Sequence, residues 1–264
     1  MDLHLSDKVA LLAAATDGLG FATAKQLLKE GAKVAVCGRD EKRNKIAVES
    51  LLKISNKENI LVHACDVTNA EQINSFVSAT ISKFGQLDIV ITNAGGPATG
   101  TFETLGADAY EKGFHLNLMS AVHLLQSALP ELKKSTHGSV LTITSCSVKA
   151  PIPNLLISNV IRPAVIGLTK SLSQEWGQYN IRVNSILPGW TKTERTVYLL
   201  QKRAEKLGIS YEACEKDIVD NIPLKRMSDP QEFANVATFL VSPAASNING
   251  VMLLADGGEY PGLL

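Results

Sequence analysis

Short apolar runs recur along the chain, at residues 8–15, 33–37, 60–64, 88–92, 140–144, 181–187 and 251–254. The first four are predominantly apolar instead of alternating, as strands buried on both faces are, and amphipathic stretches at helical spacing lie between most of the runs. Strands of this kind belong to a parallel sheet, because parallel neighbours need a crossover connection and the crossing helices cover both faces. The chain therefore reads as α/β, a doubly wound parallel sheet of about seven strands with helices on both faces. Its 264 residues contain no Pro/Gly/Ser-rich linker and no shift in composition, so a single domain is expected over 1–264.

The first run leads through Thr16-Asp17-Gly18-Leu19-Gly20 into a helical stretch that stops at Gly31. Strand, glycine turn and helix in that order make a Rossmann-type dinucleotide site. Backbone N–H groups at the helix N-terminus face a pyrophosphate, and the helix dipole favours its charge. Gly18 is expected nearest the phosphates, with Asp17 and Leu19 beside it and Gly20 allowing close helix packing. Where an NAD-type site carries an acid for the adenosine ribose, after the second strand, this chain has Gly38-Arg39. Arg39 either pairs with a 2′-phosphate, which favours NADP(H) over NAD(H), or is a solvated charge heading a basic helix over 40–54. The negative charge of Asp17 would oppose a phosphate nearby. After the third run, Asp66 either accepts from an adenine amine or caps the helix carrying the stripe Ile73, Phe76, Val77, Thr80, Ile81 and Phe84.

Ser145 closes the fifth run, followed by Ser158, Arg162 and the stripe Val165, Leu168, Leu172, Trp176. These residues stand with Gly18 and Gly20, Asn93-Ala94-Gly95, the segment AVIGLTKSLSQEWGQYNIRVNSILPG, Pro188-Gly189-Trp190-Thr191-Lys192-Thr193 and Asp256-Gly257-Gly258. The ensemble resembles the short-chain dehydrogenase/reductase family over residues 5–258, most nearly its 3-oxoacyl-(acyl carrier protein) reductase-like branch. The resemblance sets Ser145 on the family's carbonyl-polarising Ser and Asn117 on its water-holding Asn. It sets Ser158 on the proton-donating Tyr, and Arg162 on the Lys that lowers the Tyr pKa and holds the nicotinamide ribose. Both Tyr and Lys are thus replaced. A Ser hydroxyl is far less acidic than a phenol and too short to reach the same point, and an Arg keeps the charge without titrating usefully. Pro163 is expected to kink this helix.

The resemblance also implies the remaining contacts. Asp66 and Val67 lie at the adenine edge, and Asn93, Ala94 and Gly95 let the ribose lie on backbone. Pro188, Gly189, Thr191 and Thr193 border the nicotinamide, and residues 191–225 form a variable substrate lid of two short helices. Ala14 replaces a family glycine, which costs about 1 kcal/mol if that position needs a positive φ. Two functions stay open. One is hydride transfer between a nicotinamide cofactor and a small carbonyl or alcohol substrate, acyl thioesters included, with a relay through Asn117, Arg162 and water, aided by Lys149 or Ser158. The other is a non-catalytic dinucleotide-binding sensor or partner subunit.

Charge and cysteines exclude other classes. With 26 basic and 26 acidic side chains the chain has no net field to attract nucleic acid. Cys37, Cys65, Cys146 and Cys214 form no C-x-x-C or Cys/His cluster, so free thiols and no metal are expected. No basic-then-apolar leader opens the sequence and no apolar run is long enough to cross a bilayer, so a cytoplasmic protein without a membrane partner is expected. The resemblance implies a homo-oligomer, dimer or tetramer, built through long helices over 111–134 and 155–179.

Overall fold

The computed structural model describes residues 1–263, and Leu264 lies outside the described residues. In chain order, β1 (Val9–Leu12), α1 (Gly18–Lys29), β2 (Lys33–Gly38), α2 (Glu41–Leu51), β3 (Ile60–Ala64), α3 (Ala70–Phe84) and β4 (Ile89–Thr92) form the first half. The second half comprises α4 (Ala107–Phe114), α5 (Ser120–Leu132), β5 (Ser139–Ile143), α6 (Leu156–Glu175), β6 (Arg182–Pro188), α7 (Glu194–Leu207), α8 (Tyr211–Asn221), α9 (Pro230–Val241) and β7 (Met252–Ala255). The seven strands make one sheet in the order β3-β2-β1-β4-β5-β6-β7, and every pairing is parallel.

Alternate residues of each strand enter opposite cores, which is why the runs carry apolar residues on both faces. Ala10, Leu12, Ile89 and Ile91 face one core, closed by α1 and α9 residues such as Leu27 and Phe233. Val9, Leu11 and Val90 face the other, with Phe76 of α3 and Leu124, Leu125 and Ala128 of α5. Full burial of one such aliphatic side chain is worth about 1.5–3 kcal/mol, so a polar residue in either register would lose a large fraction of a domain's net stability. Strand order reverses between β1 and β4, and a ligand crevice is expected there, at the carboxyl ends of the strands.

Several local expectations are corrected. The expected helix over 111–134 is two helices joined by a π-turn at His115–Met119. The extra residue in that turn shifts the helical register, so Phe114 is exposed while Gly113, Asn117 and Ser120 turn inward. Gly113 is required there, because a Cβ would lie 2.3 Å from Ile157 Cγ2 of α6. Pro163 leaves α6 unbroken from Leu156 to Glu175. The helix after β2 ends at Leu51, and α3 is capped by Asn69, which accepts from Glu71 and Gln72 N–H, so Asp66 is not its cap. Asp229 and Glu232 form a capping box at the start of α9, with Pro230 in its first turn.

Candidate active site

The loops after β1 to β6 open into one cleft of about 960 Å³. Ala14, Asp17, Gly18, Leu19, Arg39, Asp66, Val67, Asn93, Ala94, Gly95, Ser145, Ser158, Arg162, Pro188, Gly189, Thr191 and Thr193 all line it. Gly20 and Asn117 stand just behind its wall. A Cβ at Gly20 would lie 2.9 Å from Ala15 Cβ and 3.1 Å from Asn93 Nδ2, so the glycine lets α1 pack against the turn.

At the phosphate end, Ala14 adopts φ +45°, a left-handed conformation that costs an L-residue about 1–2 kcal/mol. The loop keeps the glycine path despite the alanine, held by Asn93 Nδ2 donating to Ala14 O at 2.9 Å and Ala15 N donating to Cys37 O at 2.9 Å. Gly18 has φ +60°, and among the described residues beyond its chain neighbours and its own helix a Cβ placed there would meet just Thr193 Cγ2, at 4.0 Å. Asp17 caps α1 by accepting from Gly18 N, while the amides of the first turn behind it have no helical acceptor. An open glycine facing unpaired amides fits a dinucleotide pyrophosphate.

At the adenosine end, Arg39 is exposed and has no hydrogen-bond or ion-pair partner among the described residues. Arg43 is the residue the sequence reading missed. Its Nη1 meets Asp17 Oδ2 at 2.5 Å and its Nη2 meets Glu194 Oε2 at 2.9 Å, so the charge of Asp17 is offset and the glycine turn is tied to the first turn of α7. No sequence pattern couples residues so far apart; only the sheet order brings them together. Asp66 Oδ1 accepts from Thr68 N and Oγ1, and the Thr68 N–H bond holds its carboxyl below the usual range.

At the other end, Ser145 ends β5, with its Oγ accepting from Ser147 N at 3.1 Å. Ser158 is buried, and its hydroxyl lies 3.2 Å from Ser147 Oγ. Arg162 Nη1 donates to Ile143 O at 3.0 Å and Thr144 O at 2.9 Å, gripping the strand end that carries Ser145. Burial, and secondarily the charge of Arg195, push the Arg162 guanidinium down to about 10, so it stays charged at neutral pH. Its Nε is sealed from solvent without a partner. So is Asn117 Oδ1, whose Nδ2 donates to Gly95 O at 3.1 Å. Burial, followed by the charge of Glu259, pushes the Cys146 thiol up to about 11, which leaves it protonated and poorly nucleophilic. Lys149 does not line the cleft, and the expectation that it helps the relay is dropped.

Thr193 spends its hydroxyl as the N-cap of α7, accepting from Thr196 N. The lid helices α7 and α8 carry a small core of their own, Leu200, Ala204, Cys214, Ile218, Ile222 and Met227. Ile152, Leu155, Trp190, Tyr198 and Leu199 give this end of the cleft an apolar wall.

A sequence profile described as Enoyl-(Acyl carrier protein) reductase matches residues 13–259. The dehydrogenase/reductase SDR family member 4 of Sus scrofa is 32% identical over 257 residues, 96% of this chain and 88% of that protein. The chain belongs to the short-chain dehydrogenase/reductase family. This is a family of nicotinamide-dependent oxidoreductases, and the L-sorbose reductase of Gluconobacter frateurii, complexed with NADPH and L-sorbose, superposes with a TM-score of 0.94 at 29% identity over 100% of both chains. A second structure, an NADPH-bound short-chain oxidoreductase of Pseudomonas aeruginosa PAO1 containing an atypical catalytic center, gives 0.89 at 27% identity, covering 97% of this chain and 98% of that one. No helix among the described residues is long and apolar enough to cross a membrane.

Proposed function

We propose that this short-chain dehydrogenase/reductase interconverts a carbonyl and an alcohol with NADP(H) in preference to NAD(H), by a proton relay that does without Tyr and Lys. One observation carries the proposal: Ser145 and Arg162 line one cleft, Asn117 is hydrogen-bonded to its Gly95, and Asn117 Oδ1 and Arg162 Nε are buried without a partner among the described residues. Buried polar atoms without partners are costly, and a site keeps them for a ligand or a water. Gly18 and the first turn of α1 would hold the pyrophosphate, Arg39 the 2′-phosphate, and Asn93 to Gly95 with Arg162 the nicotinamide ribose. The bound nicotinamide would supply or accept the hydride.

Ser145 Oγ accepts from Ser147 N, and its O–H, which also reaches the Cys146 sulfur, would turn to a carbonyl oxygen and polarise it. Arg162 adds a fixed positive charge where negative charge develops on that oxygen. Asn117 Oδ1 can hold a water that delivers the proton, the role the missing phenol has in the family. The Pseudomonas aeruginosa protein supports this reading, since it too binds NADPH around an atypical centre. Oxoacyl thioesters and simple or sugar ketones are the substrate classes to assay first. A non-catalytic dinucleotide sensor is the second reading, favoured by the tie between Ser158 and Ser147, which occupies the hydroxyl standing in the Tyr position.

NADPH and NADH titrations followed by calorimetry test the cofactor assignment. NADPH is expected to bind more tightly, and Arg39→Ala to erase the preference, because a charge-assisted phosphate contact is worth about 1.5–3 kcal/mol. An unchanged ratio rejects Arg39, and no saturable binding of either nucleotide rejects both readings. We further propose a homo-oligomer, supported by the exposed Val160 of α6 and Phe114 of α4. Light scattering should give a multiple of the 28.3 kDa chain mass, and a concentration-independent monomer would contradict it.

A further inference from the structure

Resting on the dinucleotide-dependent reading above, we infer that the substrate carries a carboxylate, and that the guanidinium of Arg195, backed by that of Arg162, is what selects it. Arg195 stands in the first turn of α7, beyond the segment that the sequence reading assigned to the cofactor. Its guanidinium lies across the cleft against Gly96, where a Cβ would come within 2.8 Å of Nε and 2.9 Å of Nη2, and its other neighbour is the Tyr198 ring, 5.7 Å away. Nη2 donates to Pro97 O at 3.1 Å. Neither Nε nor Nη1 has a partner among the described residues.

The charges of the cleft are sorted by end. The carboxylates lining it are Asp17, Asp40, Asp66 and Glu194. Asp17 and Glu194 are both taken by Arg43, Asp40 caps α2 through Arg43 N, and Asp66 is turned onto Thr68. At the Ser145 end stand two guanidinium groups without an ion pair among the described residues. Their charges act on each other, since Arg195 helps to depress Arg162. Two further acids, Glu259 and Asp256, act on Cys146 and are not part of the cleft lining. Glu259 is itself raised by burial, and its Oε1 is engaged by Trp190 Nε1 at 3.1 Å. Two cations sharing a partly desolvated site repel each other, and an anion between them removes that cost. A planar carboxylate matches the fork of Arg195.

The cofactor's diphosphate is the other source of anionic oxygen within reach of this cleft, and the experiment separates the two. Calorimetry on the protein loaded with NADP⁺, which has no hydride to give a ketone, would compare 2-oxobutyrate, acetoacetate and levulinate, each against its methyl ester, so that the carboxylate is varied in distance from the ketone and then neutralised. At least one acid is expected to bind about tenfold or more tightly than its ester. Arg195→Leu should abolish that preference with NADPH affinity unchanged, and Arg195→Lys should restore part of it. A role limited to tethering the lid to Pro97 would weaken acid and ester alike. Equal binding of acids and esters overturns the inference, as does a loss in Arg195→Leu that falls on NADPH alone. If the unsubstituted protein fails to bind NADPH, the cofactor reading falls instead. The acid-over-ester comparison on the cofactor-free protein then decides the carboxylate assignment by itself.

Discussion

Ser145→Ala is expected to lower carbonyl turnover about 10²–10³-fold at saturating NADPH while leaving NADPH affinity nearly unchanged, as loss of one preorganised donor to a developing oxyanion does. The asymmetry follows from where the hydroxyl sits. It follows β5 in the cleft that Arg162 also lines, and the amide of Ser147 fixes it as an acceptor while its proton can pass from the Cys146 sulfur to the substrate. The phosphate-end contacts come from β1, α1 and β2 and do not involve it. Steady-state kcat with an active ketone, beside a calorimetric NADPH titration of the same variant, checks both halves. Turnover that survives the substitution would mean that the carbonyl is polarised elsewhere, with Arg162 the remaining candidate. A parallel loss of NADPH affinity would mean that Ser145 holds the strand end instead of the substrate.

The sheet was legible because most strands carry apolar residues on both faces instead of alternating, a pattern few other architectures need. The glycine turn and the two lid helices could be read because each is a local matter of φ and spacing. Even the cost at Ala14 was readable, since a family glycine replaced by alanine poses the question that its φ of +45° answers. What could not be read is the set of contacts that sheet order creates. Arg43 looked like one more charge on a basic helix until β1, α2 and α7 came together around it. Arg195 looked like lid surface until Gly96 proved to be the floor beneath it. The π-turn at Asn117 escaped because a helical stripe is read at constant pitch, and one inserted residue moved Phe114 out and Asn117 in. Pro163 misled in the other direction, since α6 passes through it unbroken.

The continuity of α6 makes the missing acid testable. Ser158→Tyr combined with Arg162→Lys restores the family's pair at helical spacing, on the helix face that lines the cleft. Ketone reduction with NADPH is expected to rise about 10²-fold, the lower end of what a positioned general acid contributes. The lower end is chosen because Arg162→Lys also disturbs the grip of Nη1 on Ile143 O and Thr144 O, and with it the strand end that positions Ser145. Ser158→Tyr alone separates the two effects, since it adds the phenol and keeps the grip, though a nearby guanidinium tunes a phenol less well than a Lys ammonium at the ribose. If the single variant gains and the double gains more, the native protein lacks only its acid. A fall in both would show that the native relay already runs through the Ser158–Ser147 pair and that the new ring displaces it. Absence of turnover before and after restoration, with NADPH still bound, would favour the non-catalytic sensor.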